Sequence, residues 1–351
     1  DVNVIGTYGD YNQKMPVLLA SGETMDVVWT SSWSNNYLKA ASDELYVDLT
    51  DLLPEHAPAA YEATRAVMPS YTVDGSVYGV TLQPNSLKGV RVEVRENVAE
   101  RYDEQLRNLN GLADLDPILR DIMREFPDLK PLGPRNGIIE WTDGARRFLN
   151  PGLPTTIPLV VRFDDPEMRV FNRWESEEYR ESYELVREWY LDGIIEEDVL
   201  ALSDDQIMSQ KQAGQYAIVL HNTYDPTDDF ITYGGIEYPT YLMGDMYVDP
   251  NAPMSTMLAV SYTSEHPVKS VEFINLLFSD RDVFNTIGYG LEGLTYETIG
   301  DNRIRYLDDH GYHYNRAWHY GWMPIGYLLE NDPADQYEII DEVTEEAFKP
   351  S

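Results

Sequence analysis

Cysteine is absent from all 351 residues. Thiol nucleophiles, disulfide frameworks and thiolate metal sites are therefore excluded, and the chain is compatible with either side of a bacterial membrane. Basic residues are scarce: 26 Lys and Arg stand against 61 Asp and Glu, a formal net charge of −35. A field of that sign repels phosphate backbones and anionic membrane surfaces, which argues against nucleic acid as a partner. No apolar run is long enough to span a bilayer. Residue 1 opens into a strand-like stretch rather than a signal peptide. The common enzyme signatures are missing as well: there is no GxSxG elbow, no GxxxxGK[ST] loop, no GxGxxG after a strand and no HExxH helix. Among 61 acids some pair is close by chance, and none stands out as a hydrolytic pair.

What the chain does contain is apolar and aromatic. Apolar residues make up 43%, with 26 Tyr and 7 Trp, so the chain is globular, and its length predicts two lobes rather than one core. The acidic excess reads as a solvated coat, with a cationic ligand as the sharper alternative.

Strand and helix patterns alternate. Residues 1–30 read strand, helix, strand, with Pro16 expected to kink or restart the helix. Residues 34–70 read as helical, and GSVYGVTL and SLKGVRVEVRENV as extended, with a helix beginning near Glu96. Residues 127–158 are rich in Pro and Gly and read as loop. Ser176 caps a helix that Gly193 ends, and Tyr179, Tyr183, Val186 and Tyr190 form its expected buried stripe. A helix over 204–213 precedes the strand QYAIVLH, and STMLAVSY is a further strand. Pro267 opens the next helix, and Ser279 is the expected cap of the one after it. The alternation predicts a mainly parallel α/β protein, with the runs near 78–94 and 256–262 placed to cross between lobes.

Residues 310–324, HGYHYNRAWHYGWMP, concentrate eight aromatic or imidazole rings. His310, His313 and His319, with Asp308 and Asp309, have spacings that suit neither one helix face nor a common zinc pattern. DPTDD (225–229) is the one candidate for a structural calcium ion; it lacks the alternation and central Gly of an EF-hand and reads as a solvated turn. Otherwise no cofactor is implied.

Loop tryptophans carry the remaining signal. Trp33 follows the buried strand MDVVWT, where ligands gather in α/β sheets, and Trp141, Trp318 and Trp322 also lie in loop-like stretches. An indole face suits the C–H-lined face of a pyranose, and polar neighbours can bind the hydroxyls around its rim. Ser32, Asn35, Glu292 and Arg316 are the rim candidates. Trp174 and Trp189, at the 176–192 helix, read as packing residues.

Several stretches resemble one family. DYNQKMPVLLASGETMDVVWTSSW, REWYLDGIIEEDVL, VEFINLLFSDRDVFNTIGYGLEGLTYE and VDGSVYGVTL are similar to segments of the larger, carbohydrate-type bacterial extracellular solute-binding proteins of ABC importers (family 1). The third is the most specific. Relative to that family the chain looks shortened at both ends. The resemblance implies a two-lobed periplasmic-binding-protein-like (type II) α/β fold with discontinuous lobes. One lobe would comprise 1–87 with 259–320 and the other 88–258 with 321–351, closing about hinge strands. It further implies a monomeric receptor, not an enzyme, that captures an oligosaccharide and passes it to ABC permease subunits. Such a receptor is extracellular and held to the membrane by an N-terminal lipid anchor. An anionic glycan would call for Arg91, Arg135, Arg146 or Arg316 in the cleft. A peptide or cationic metabolite is the alternative solute, and a carbohydrate-active enzyme the alternative of another class.

Overall fold

The computed structural model describes residues 3, 11–83, 87–134, 148–149, 158–162, 165–221, 225–249, 251–300, 302–307 and 317–347. These gather into two compact units, Asp1–Ser86 with Pro250–Ala334, and Leu87–Asp249 with Asp335–Ser351.

The first unit is built on a three-stranded sheet in the order Val27–Thr30, Met257–Val260, Gly79–Thr81. Both pairings are antiparallel, with Val28 opposite Ala259 and Leu258 opposite Val80. The middle strand comes from far along the chain and is buried at all four residues, as befits a strand covered on both faces. Leu19, Tyr37, Leu53, Tyr71, Ile274 and Phe278 pack around it. The helix Pro267–Ser279 starts with proline at its first turn and turns Val271, Ile274, Leu277 and Phe278 inward. Its successor, Arg281–Tyr289, is capped by Asp280, whose carboxylate accepts from the N–H groups of Asp282 and Val283. Ser279, the expected cap, instead donates its hydroxyl to the Asn275 carbonyl at 2.7 Å. Gly290 ends that helix at φ +87, where a Cβ would meet Thr295 Oγ1 at 2.5 Å, so both the turn and the close approach require glycine. A small sheet of Tyr296–Gly300, Arg303–Tyr306 and Leu328–Leu329 follows around Phe284, Tyr289 and Ile304.

The second unit holds five strands in the order Lys130–Gly133, Tyr216–His221, Leu87–Val94, Ile236–Val248, Phe230–Tyr233. Val90, Val92 and Val94 line one face, against Leu106, Leu115, Ile122 and Trp189. Strand alternation puts Arg91 and Glu93 on the other face.

Three further expectations are corrected. The two main sheets are mainly antiparallel: among the described residues only Lys130–Gly133 with Tyr216–His221 is parallel in them. Alternating elements imply a parallel sheet only when each helix links neighbouring strands, and here neighbours come from distant stretches. The stretch read as loop contains the strand Lys130–Gly133; it lies at the sheet edge, where Pro131 needs no partner for a missing N–H. The helix Glu177–Leu191 has its expected Ser176 cap, but it buries Val186 and Trp189. Tyr183 and Tyr190 face outward, and so does Trp174, which was read as packing. The Tyr190 hydroxyl donates to the Glu197 carbonyl at 3.1 Å on the surface, whereas the Trp189 indole N–H finds Asp116 at 2.8 Å inside. Residues 1, 2 and 4–10, the expected first strand, lie outside the described residues.

Candidate functional site

After the strand Val27–Thr30 the chain folds into a tight serine turn. Ser31 N–H donates to the Ser34 carbonyl at 3.1 Å, and Ser34 N–H returns to Ser31 Oγ at 2.7 Å. Asn35 and Asn36 follow at φ 57 and 32, a left-handed pair that asparagine tolerates better than most residues. Asn36 then caps the helix Tyr37–Ser42 through the Lys39 N–H. This fixed turn carries Trp33 outward, 57% exposed, with its indole N–H on the Ser255 carbonyl at 2.7 Å.

Trp33 is one member of an aromatic group centred on Trp29. The Trp29 ring meets Trp33 at 5.4 Å and 63°, Tyr11 at 5.3 Å and 66°, Trp318 at 6.3 Å and 73°, and His319 at 4.6 Å and 85°. Trp318 and His319 lie 3.5 Å apart on the short helix Ala317–His319. Edge-to-face geometry of this kind is favourable between rings. The Tyr11 hydroxyl donates to the Trp29 carbonyl. Burial, with Tyr46 adding to it, pushes the Tyr11 phenol well above its ordinary value, and burial raises Tyr46 to about 12. Both phenols are therefore protonated and neutral near neutral pH.

The sequence candidates divide. Trp33 and Trp318 are brought together, and Ser32 lies exposed beside Trp33, its N–H on the Met254 carbonyl at 2.7 Å. Asn35 Nδ2 donates to the Tyr46 hydroxyl at 3.1 Å, so part of its amide serves the fold. Trp322 is placed elsewhere: its ring stacks on Phe278 at 5.8 Å and 14°, packed against the core. Glu292 sits exposed in the loop after Gly290, bridged through its backbone to Tyr296. Trp141, Arg135, Arg146 and Arg316 lie outside the described residues.

Arg91 is buried and bound to Glu93 at 2.8 Å and to Asp228 at 3.4 Å, which engages its charge within the fold. In DPTDD, Asp225 accepts from both the N–H and the hydroxyl of Thr227, an ordinary acidic turn. His310 and His313 lie outside the described residues, and His319 belongs to the aromatic group; among the described residues no cluster of His, Asp and Glu could hold a metal.

Sequence reasoning missed Trp29, because VVWT reads as one buried run. Its burial in fact alternates, with Val28 and Thr30 inward and Trp29 only half-buried. A polar concavity of about 770 Å³ lies in the second unit, lined by Arg162, Asp165, Arg169, Asn172 and Glu178. Its ions pair with each other, Arg162 with Glu178 and Arg169 with Asp165, and the Arg162 guanidinium lies over its Phe171 ring at 5.0 Å.

No family model matches the chain. A carbohydrate ABC transporter substrate-binding protein of Streptococcus pneumoniae serotype 4 is 27% identical over 350 residues, spanning 96% of this chain and 68% of that protein. The structure resembles the N-glycan transport solute binding protein (NgtS) of S. pneumoniae in complex with Man5GlcNAc. That likeness has a TM-score of 0.77 and 25% identity, over 100% of this chain and 76% of the other. An alginate-binding protein, AlgQ2 without calcium ion, matches with a TM-score of 0.61 and 17% identity, over 95% and 74%. Among the described residues no helix is long and apolar enough to cross a membrane. With a two-lobed α/β fold of open sheets and a sequence likeness running through nearly its whole length, the chain is related to the bacterial extracellular solute-binding proteins of ABC transporters.

Proposed function

We propose that the protein is an extracytoplasmic receptor that holds an oligosaccharide against the Trp29, Trp33 and Trp318 face and delivers it to the permease of an ABC importer. One observation carries this reading: three indoles converge in one unit, and one of them stands 57% exposed on a turn that the backbone fixes. A flat apolar surface exposed at that cost in water contact fits the C–H face of a pyranose. The relative from S. pneumoniae is a carbohydrate-transport protein, and NgtS was crystallised with Man5GlcNAc, so a mannose-bearing glycan is the first ligand to test. The two compact units correspond to the two lobes of this receptor. Presentation outside the cytoplasmic membrane through a lipid anchor goes with that role.

The net charge of −35 favours a second reading, a cationic solute such as a basic peptide. Isothermal titration at low and high salt separates the two. Stacking of an uncharged glycan is nearly insensitive to salt, whereas attraction of a cation to an acidic surface weakens as salt screens it. Heat from Man5GlcNAc with little salt dependence supports the oligosaccharide reading. Silence with every sugar, together with salt-sensitive heat from a basic peptide, overturns it.

A further inference from the structure

Three successive residues, Met254, Ser255 and Thr256, accept hydrogen bonds from the aromatic stretch. Ser32 N–H donates to the Met254 carbonyl, the Trp33 indole to the Ser255 carbonyl, and the Trp29 indole to Thr256 Oγ1 at 2.9 Å. The Thr256 hydroxyl in turn donates to the Trp318 carbonyl at 3.1 Å. Thr256 is wholly buried, immediately before the strand Met257–Val260. Its own carbonyl accepts from Leu82 N–H at 3.0 Å, which anchors it to the stretch after the strand Gly79–Thr81.

One hydroxyl thus joins two indole-bearing segments that are 289 positions apart in sequence, since 318 − 29 = 289. A partly buried indole N–H and a partly buried carbonyl each gain a partner, and this hydroxyl supplies both, accepting from one and donating to the other. Valine, similar in shape, can do neither. We propose that Thr256 is a positioning residue for ligand binding: its hydroxyl sets the spacing and tilt of Trp29 and Trp318, and so the shape of the aromatic face. The inference rests on the oligosaccharide reading of that face and adds to it a residue that need not touch the sugar.

The test compares Thr256→Ser with Thr256→Ala in titrations against Man5GlcNAc, with Trp33→Ala as reference. Serine and alanine lose the same methyl group, so the difference between them reports the hydroxyl alone. The serine variant binds within about twofold of the natural chain, and the alanine variant about tenfold more weakly or worse, the size expected when buried groups lose their partner. In the ¹⁵N spectrum of the indoles, the Trp29 Nε1–H exchanges slowly with solvent in the serine variant and quickly in the alanine variant. A loss of general stability alone would lower both affinities together. If alanine prevents folding, Thr256→Val takes its place. Equal affinity of the serine and alanine variants, with Trp33→Ala still weakened, overturns the role of Thr256 and leaves the oligosaccharide reading intact. A natural chain silent with every sugar, or one whose binding of Man5GlcNAc survives Trp33→Ala, overturns both.

Discussion

Replacing Glu93 with alanine removes a carboxylate on which two other side chains depend. Glu93 is wholly buried, and its Oε1 accepts from Arg91 Nε at 2.9 Å and from the neighbouring guanidinium nitrogen at 2.8 Å. Its Oε2 accepts the Tyr233 hydroxyl at 2.8 Å. Without it Arg91, itself 8% exposed, keeps Asp228 as the described carboxylate within reach, at 3.4 Å. Breaking a buried ion pair from one side costs about 3–5 kcal/mol, because the surviving charge stays buried. Asp228 offsets part of this, so we expect about 3 kcal/mol for Glu93→Ala. Glu93→Gln, which keeps an acceptor but not the charge, should cost about 1–2 kcal/mol. A suitable control is Glu62→Ala: that residue pairs with Arg65 with both side chains more than 60% exposed, and its loss should cost about 0.5 kcal/mol or less. Guanidinium unfolding followed by circular dichroism gives each difference from the shift in midpoint. A cost under about 1 kcal/mol for Glu93→Ala would show that Arg91 is not committed to the sheet. The argument that removes it from ligand binding would then fail.

Two further predictions follow from packing and from proton linkage. Gly321→Ala places a Cβ 2.6 Å from the Leu277 carbonyl oxygen and 2.9 Å from the Phe284 ring, and should cost about 1–3 kcal/mol; an unchanged melting temperature would contradict the packing of this segment. Asp116 is disfavoured as an anion by burial, but hydrogen bonds from Arg120 and the Trp189 indole outweigh that and hold its pKa below the ordinary 3.8. A carboxyl depressed in the folded state stabilises fully above 3.8, and that contribution fades as pH falls toward the folded value. Asp116→Asn should therefore flatten the fall of stability below about pH 4, and an unaltered slope would refute the assignment.

The helix frames were legible because their signals are local. Ser176 and Gly193 bracket Glu177–Leu191, and Pro267 starts its helix, through hydrogen-bonding and backbone preferences that need no tertiary partner. Which face of a helix turns inward depends on what lies opposite, and so Tyr183 and Tyr190 were expected inside although they face outward, while Trp189 was legible as a packing residue. Strand direction was illegible for a related reason. The strand between Val27–Thr30 and Gly79–Thr81 is Met257–Val260, and nothing within it records which way it meets them. The strand Ile236–Val248 went unread although its signal was present: Gly234 and Gly235, both at positive φ, form the tight hairpin turn after Phe230–Tyr233. At the site, Trp33 was legible as an aromatic on the loop after a strand. Trp29 was concealed within an apolar run, and Trp322 looked like Trp318 until Phe278 was seen beneath it.

The central claim, that the Trp29 group is a sugar-binding face, is tested most directly by titrating Man5GlcNAc into the natural chain and into Trp33→Ala. Trp33 is 57% exposed, so its removal should leave the melting temperature nearly unchanged. The account predicts binding by the natural chain, with a change in tryptophan fluorescence, and affinity weaker by about tenfold or more in the variant. Equal affinity in the two proteins would contradict it.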